Sequence, residues 1–152
     1  MKQKVKAIHK IKKQTGFTLI ELLVVISIIG ILAAVVLVSL NSARAKSRDA
    51  KRLADVRQIQ TGLELFYNDN NRYPSATGGA PTPGDGSPIW STYMSLWATY
   101  PAPSNDGTCA VGLTYVYTQT GSGTGYTLTF CLGAATGSYP AGNRTATAAG
   151  IQ

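Results

Sequence analysis

An apolar stretch with one acidic residue at its start constrains this chain more than any other feature. From Leu22 to Leu40 the aliphatic side chains are interrupted only by two serines and Gly30, and none of these residues carries a charge. As a helix, this stretch and its first turn would span roughly 30 Å, the thickness of the hydrocarbon core of a bilayer. The pattern therefore predicts a membrane-spanning helix over residues 17–40.

Glu21 places a carboxylate at the beginning of this stretch, five residues after Gly16. An acidic group at the centre of a bilayer costs about 2.5–3.5 kcal/mol on insertion scales, so such a group indicates a functional role and a partner. The alternative is that Glu21 lies near the lipid head-groups and reaches them at little cost. Helix geometry alone leaves both interpretations open.

The residues before the apolar stretch are strongly basic. Six of the fourteen Lys and Arg residues lie in the first sixteen positions, together with His9 and no acidic residue. Without these six lysines, the formal net charge of +7 falls to about +1. A basic segment beside an apolar helix holds that end of the chain in the cytoplasm. The high pI therefore does not indicate a nucleic-acid-binding domain.

The junction between these two segments resembles the type IV prepilin signature over eight residues, Gly16-Phe17-Thr18-Leu19-Ile20-Glu21-Leu22-Leu23. In the type IV pilin and type II secretion pseudopilin family, a membrane aspartyl protease removes a short basic leader after the glycine. The new N-terminal residue is then N-methylated. The resemblance implies a leader over residues 1–16, cleavage between Gly16 and Phe17, methylation of Phe17, and an assembly role for Glu21. It covers residues 1 to about 74.

An ordinary secretory signal peptide is the alternative for this region, with Ala43-Arg44-Ala45 as its cleavage site. Three features argue against it. The apolar stretch is longer than the usual apolar region of a signal peptide, which has about 7–15 residues. Glu21 lies at its beginning, and the basic Arg44 lies inside the cleavage site.

The helix is predicted to continue beyond the apolar stretch to about residue 70, as an amphipathic half over residues 41–72. Pro74 prevents further continuation. An apolar stripe at spacings of three and four follows one face, formed by Leu53, Val56, Ile59, Leu63 and Phe66. We expect the chain's own sheet to cover this stripe, with a coiled-coil seam as the alternative.

A basic cluster lies just beyond the apolar stretch and comprises Arg44, Lys46, Arg48, Lys51 and Arg52. It indicates either contact with anionic lipid or a solvated helix face.

Residues 73–152 are predicted to form a small globular domain. Residues 75–88 read as a loop, residues 113–118 and 126–131 alternate as strands, and residues 119–125 form the hairpin between them. The small and polar residues 133–152 predict a loosely packed tail. The resulting fold class is α+β: a long N-terminal helix packed against a small antiparallel sheet, as in pilins.

Cys109 and Cys131 both fall in the part of the chain predicted to lie outside the cytoplasm, where disulfides form. We expect them to be bonded, with separate buried thiols as the alternative. The resemblance agrees with this, because many pilins close a loop near the C-terminus with a disulfide.

Catalytic and cofactor signatures are absent from the sequence. His9 is the sole histidine and lies in the leader, so no Ser/His/Asp or Cys/His set can form. There is no metal-ligand spacing and no phosphate-binding glycine loop. We therefore expect no enzyme activity and no cofactor. Some secretion pseudopilins bind calcium in C-terminal loops, and Asn105-Asp106 is a candidate for such a site. The alternative is an ordinary turn, because Gly107 follows Asp106.

Three functional hypotheses follow. The first is a structural subunit of a type IV pilus-like filament, polymerised through its N-terminal helix; the second is a secretion-system pseudopilin. The third, from another class, is a single-pass anchor that displays a binding domain and never polymerises. The resemblance implies as partners copies of the same chain, a prepilin peptidase and methylase, the inner-membrane assembly machinery, and membrane lipid before assembly. It implies an inner-membrane location with the N-terminus inside, followed by an extracellular or periplasmic filament.

Overall fold

A computed structural model of the chain describes residues 16–152. The leader, apart from Gly16, lies outside the described residues. One long helix, α1 (Leu19–Asn70), precedes six short strands: β1 (Ala76–Thr77), β2 (Ala80–Pro81), β3 (Val116–Thr120), β4 (Gly125–Leu132), β5 (Gly142–Thr147) and β6 (Gly150–Ile151). The chain divides into two compact units within α1, one ending at Ser39 and the other formed by Leu40–Gln152.

The helix α1 has nearly the predicted bounds. It begins at Leu19 and ends at Asn70. Asn71 then adopts a φ of 52°, a left-handed conformation that asparagine tolerates and that ends helices. The N–H of Asn71 still donates to the carbonyl oxygen of Tyr67 at 2.8 Å, which closes the last turn.

The first unit carries the apolar part of α1. Every residue from 16 to 39 is exposed, because no part of this unit covers the aliphatic side chains. Among the described residues, α1 is the helix that is long and apolar enough to cross a membrane. A bare apolar surface of this size requires lipid or another protein as its surroundings.

The second unit has a core built on the predicted helix stripe. All five stripe residues are buried. They pack with Tyr115, just before β3, and with aromatic and aliphatic side chains of the sheet, which are Tyr117, Tyr126, Leu128, Phe130 and Leu132. Gly62 lies on the same face of α1 and packs against the Trp90 ring. A Cβ at this position would stand only 3.2 Å from that ring, so the close contact requires a glycine. The cost of a glycine within the helix is thus offset by the packing of Trp90.

The main sheet is antiparallel with strand order β3-β4-β5-β6. Tyr117 on β3 lies opposite Leu128 on β4, and Leu128 in turn lies opposite Ala146 on β5. These three residues are buried on the face that meets the helix stripe. The predicted α+β fold, with a long helix and a small antiparallel sheet, is confirmed.

Two local predictions were wrong. Residues 133–152 are not a loose tail, because β5 and β6 complete the main sheet, and residues 75–88 contain the small β1–β2 hairpin. In β5 only Ala146 is fully buried, since β4 supplies the large apolar side chains of the inner face. A strand that contributes mainly backbone hydrogen bonds leaves little apolar pattern in its sequence.

Candidate functional site

The predicted cleavage site lies at the exposed start of the described chain. Gly16 and Phe17 precede the first residue of α1 and belong to no helix or strand. The side chain of Phe17 is 84% exposed, and a Cβ added at Gly16 would meet nothing within 4 Å. A peptide bond in this position is accessible to a protease.

Glu21 closes the first turn of α1. Its Oε2 accepts hydrogen bonds from the Thr18 backbone N–H at 2.9 Å and from the Thr18 hydroxyl at 2.7 Å. The Glu21 N–H donates back to Thr18 Oγ1 at 3.3 Å. This reciprocal pattern is a capping box, which satisfies N–H groups that have no partner within the helix.

The capping box gives Glu21 a role within a single chain that our sequence reading missed. The signal was present, because Thr18 and Glu21 stand in the Thr-x-x-Glu spacing of that motif. Cleavage after Gly16 would leave this arrangement intact, since the Thr18 N–H belongs to the bond that joins it to Phe17. The capping box is therefore compatible with the assembly role implied for Glu21, in which its carboxylate would pair with the amino group that cleavage creates on Phe17 of a neighbouring subunit.

The predicted basic cluster is divided between two environments. Arg44, Lys46 and Lys51 are exposed, as either interpretation of the cluster requires. Arg52 is fully buried with its guanidinium 4.6 Å from the centre of the Tyr100 ring, and Arg48 is half-buried. The prediction was wrong for these two arginines, because each has an acidic partner inside the folded unit.

A buried ionic network holds the second half of α1 to the loops beside the sheet. Asp49 accepts hydrogen bonds from Arg52 at 2.6 Å and from the backbone N–H groups of Gly133 and Ala134 at 2.9 Å each. Asp106 accepts two hydrogen bonds from Arg48, at 2.5 and 2.7 Å. The hydrogen bond from Arg48 lowers the pKa of Asp106, so this carboxylate stays charged at neutral pH.

This network also accounts for Asp106, the residue considered for calcium. Its two carboxylate oxygens contact arginine side chains. Within residues 16–152, no group of three or more His, Cys, Asp or Glu side chains lies close enough to hold a metal ion.

The two cysteines are joined in the structure by a disulfide. Cys131 lies on β4 and Cys109 in the loop before β3, 22 residues earlier in the chain. Both are buried. The bond ties this loop, which also carries Asp106, to the central part of the sheet.

We expect that replacing both cysteines by alanine lowers the free energy of unfolding of the globular part by about 3 kcal/mol, because the denatured chain regains the freedom of the closed loop. Membrane insertion should be unchanged. Thermal unfolding of the detergent-solubilised chain, with reduced wild type for comparison, measures the effect. If non-reducing peptide mapping of protein from the cell finds both thiols free, the bond does not form there.

Comparison with known proteins finds one family model and several curated relatives that are similar to part of this chain. The family described as "Prokaryotic N-terminal methylation motif" matches residues 11–37. Type II secretion system core protein G of Aeromonas hydrophila is 40% identical over 68 residues, which are 45% of this chain and 48% of the relative. The protein of the same name from Escherichia coli strain K12 is 39% identical over 67 residues, 44% of this chain and 46% of the relative.

The matched segments span about half the length of the curated relatives. The relative from Vibrio cholerae, also a core protein G, is 39% identical over 70 residues. No solved structure matches the chain significantly. The resemblance to the type IV pilin and pseudopilin family, first indicated by Gly16–Leu23, is confirmed.

Proposed function

We propose that this chain is a structural subunit of a type IV pilus-like filament. Its leader is removed after Gly16, Phe17 is N-methylated, and the mature subunits polymerise through the apolar half of α1. The observation that carries the proposal is a methylation motif placed directly before an exposed apolar helix. A membrane anchor alone would account for the apolar helix but not for the processing motif or for Glu21.

The apolar half of α1 would have two successive environments, the lipid bilayer before assembly and the centre of the filament after it. Before assembly, lipid surrounds its aliphatic side chains and the basic leader holds the N-terminus in the cytoplasm. In the filament, the same side chains pack against neighbouring helices. Gly30 presents an open helix surface, since a Cβ there would meet nothing within 4 Å, and small residues let helices approach closely.

The relatives support a secretion pseudopilin as much as a pilus subunit. The matched proteins are named type II secretion system core protein G. This supports a short periplasm-spanning filament that acts in secretion as the second candidate. Both candidates share leader cleavage, N-methylation and polymerisation, and the prepilin peptidase and the inner-membrane assembly machinery would be partners in either case.

The processing step provides the test. When the full chain is co-expressed with a prepilin peptidase, we expect a mature protein that begins with N-methylated Phe17. Gly16→Leu should block this cleavage, because a side chain at that position obstructs the close approach of the protease backbone. Mass spectrometry of the N-terminal peptide from membrane extracts measures the start. A mature chain that begins after Ala45 would instead identify an ordinary signal peptide.

A further inference from the structure

Two cations near the start of the second unit have no acidic partner in the folded chain. Arg44 and Lys46 are exposed residues of α1, and none of the ion pairs formed within residues 16–152 includes either of them. Arg48, only two residues after Lys46, is half-buried and pairs with Asp106. The fold therefore uses one part of the predicted basic cluster and leaves these two cations at the surface.

The acidic residues beside this part of α1 already have other partners. Asp49 is fully buried and accepts hydrogen bonds from Arg52 and from two backbone N–H groups. Both carboxylate oxygens of Asp106 accept hydrogen bonds from Arg48. The remaining acids of α1 in this unit lie farther along the helix and are Asp55, Glu64 and Asp69. The beginning of the unit thus carries an excess of positive charge.

The position of the two cations along α1 relates them to the bilayer. The apolar stretch from Leu22 to Leu40 is about as long, as a helix, as the hydrocarbon core is thick, roughly 30 Å. Arg44 and Lys46 follow Leu40 by four and six residues, which are about 6 and 9 Å along a helix. The head-group layer on each side of the core is about 5–8 Å thick. Both residues therefore lie within or just above this layer.

The geometry of a helix brings these charges closer to the lipid. In an α-helix every side chain is tilted toward the N-terminus. For Arg44 and Lys46 this is the direction of the apolar stretch. Long cationic side chains near the end of a membrane-spanning helix also extend to the head-groups, with their aliphatic stems against apolar surface. The ammonium group of Lys46 can therefore reach the lipid phosphates.

This placement also suits the acidic residue at the other end of the apolar stretch. Arg44 follows Glu21 by 23 residues, about 35 Å along a helix, which exceeds the thickness of the hydrocarbon core by only about 5 Å. With Arg44 among the head-groups on one side, Glu21 lies close to the head-groups on the other side. Neither charge then has to enter the hydrocarbon before assembly.

We propose that Arg44 and Lys46 bind the phosphate groups of anionic phospholipids and so hold the second unit at the bilayer surface while the subunit is stored in the membrane. Anionic head-groups supply the negative charge that the folded chain does not offer these two residues. The contact depends on the membrane-spanning position of the apolar half of α1. It goes beyond the proposed function, because it does not require polymerisation.

Lysine labelling tests this contact, because the chain after residue 16 has only two lysines, Lys46 and Lys51. The full chain is reconstituted into nanodiscs of phosphatidylcholine, with or without phosphatidylglycerol, and is exposed briefly to an amine-reactive reagent. Mass spectrometry of the separate peptides measures each site. Labelling of Lys46 should be about fivefold slower in the anionic nanodiscs, which corresponds to about 1 kcal/mol. Lys51, about 16 Å beyond Leu40, should change less than about twofold, because the surface potential falls off within a Debye length.

Two substitutions add matched probes along the same helix. Arg44→Lys keeps the charge of an exposed residue and should show about the same fivefold difference as Lys46. Gln58→Lys is the control, because Gln58 is also exposed on α1 and lies about 27 Å beyond Leu40. The lysine that it introduces should be labelled at the same rate in both kinds of nanodisc.

Equal labelling of Lys46 in both kinds of nanodisc would overturn the proposal and identify a solvated helix face. An equal reduction at all of the lysines would also overturn it, because the reduction would then not arise at the head-groups. Slower labelling confined to positions 44 and 46 would support the contact. Since the nanodiscs contain no assembly machinery, this result would stand even if the proposed polymerisation fails.

Discussion

Glu21→Val is expected to leave membrane insertion and leader removal intact and to lower filament yield by roughly a hundredfold. Cleavage creates an amino group on Phe17, and packing of the apolar helices would take this charge and the Glu21 carboxylate out of water. An unpaired buried charge costs several kcal/mol, and about 2.7 kcal/mol corresponds to a hundredfold. Pairing Glu21 of one subunit with the Phe17 amine of its neighbour removes that cost at one axial offset.

The capping box makes it necessary to separate two roles of Glu21. Glu21→Gln keeps a side-chain acceptor for Thr18 and removes the charge, whereas Thr18→Val removes the side-chain cap and keeps the charge. If the charge sets the register, Glu21→Gln should assemble as poorly as Glu21→Val, Glu21→Asp should be intermediate, and Thr18→Val should assemble well. Immunoblots of sheared filaments and of membranes measure assembly and accumulation separately. Normal filament yield and pitch from Glu21→Val would mean that the carboxylate only caps the helix and lies near the head-groups.

The second large effect is expected at Asp49, inside the globular part. Asp49→Ala should lower the free energy of unfolding by about 3–5 kcal/mol, because the buried Arg52 guanidinium loses the carboxylate to which it is hydrogen-bonded. The Gly133 and Ala134 N–H groups also lose their acceptor. Such a loss is comparable with the whole stability of a small domain. Thermal unfolding of the detergent-solubilised chain, followed by tryptophan fluorescence of the buried Trp90, measures it.

Asp69→Ala is the control for this measurement, since Asp69 is an exposed acid on the same helix. It should change stability by less than about 1 kcal/mol. Replacing the pair together, as Asp49→Leu/Arg52→Met, should recover only the part of the loss that comes from the unpaired guanidinium, because apolar residues of similar size often substitute well for a buried ion pair. The part that comes from the Gly133 and Ala134 N–H groups should remain, since leucine offers them no acceptor. Stability of Asp49→Ala within 1 kcal/mol of wild type would show that water reaches Arg52 and that the network is not a main support of the fold.

The sequence predicted the features of the fold that depend on apolar periodicity. The helix stripe from Leu53 to Phe66 has a clear helical spacing, and each of its members is buried. The β4 strand was predicted for the same reason, because Tyr126, Leu128 and Phe130 alternate with polar residues. Patterns of this kind report directly which face of an element is covered.

The features that the sequence did not predict depend on pairing between distant residues. Arg52 was assigned to a basic cluster because its neighbours in the chain are cations, yet the Arg52–Asp49 pair is enclosed by loops more than fifty residues away. Likewise, β5 forms because β4 offers it a partner, and its own residues carry little apolar pattern. At the candidate site, the motif identified Gly16, Phe17 and Glu21, but not the hydrogen bonds of Glu21 to Thr18.

Electron cryo-microscopy of filaments sheared from cells that express the full chain, a prepilin peptidase and an assembly machinery tests polymerisation most directly. We predict filaments built from this chain, with the apolar halves of α1 at the centre and the Glu21 carboxylate within about 4 Å of the Phe17 amine of a neighbouring subunit. A chain that is cleaved and methylated, yet is found only as a monomer in the membrane under these conditions, would contradict polymerisation and identify an anchored domain instead.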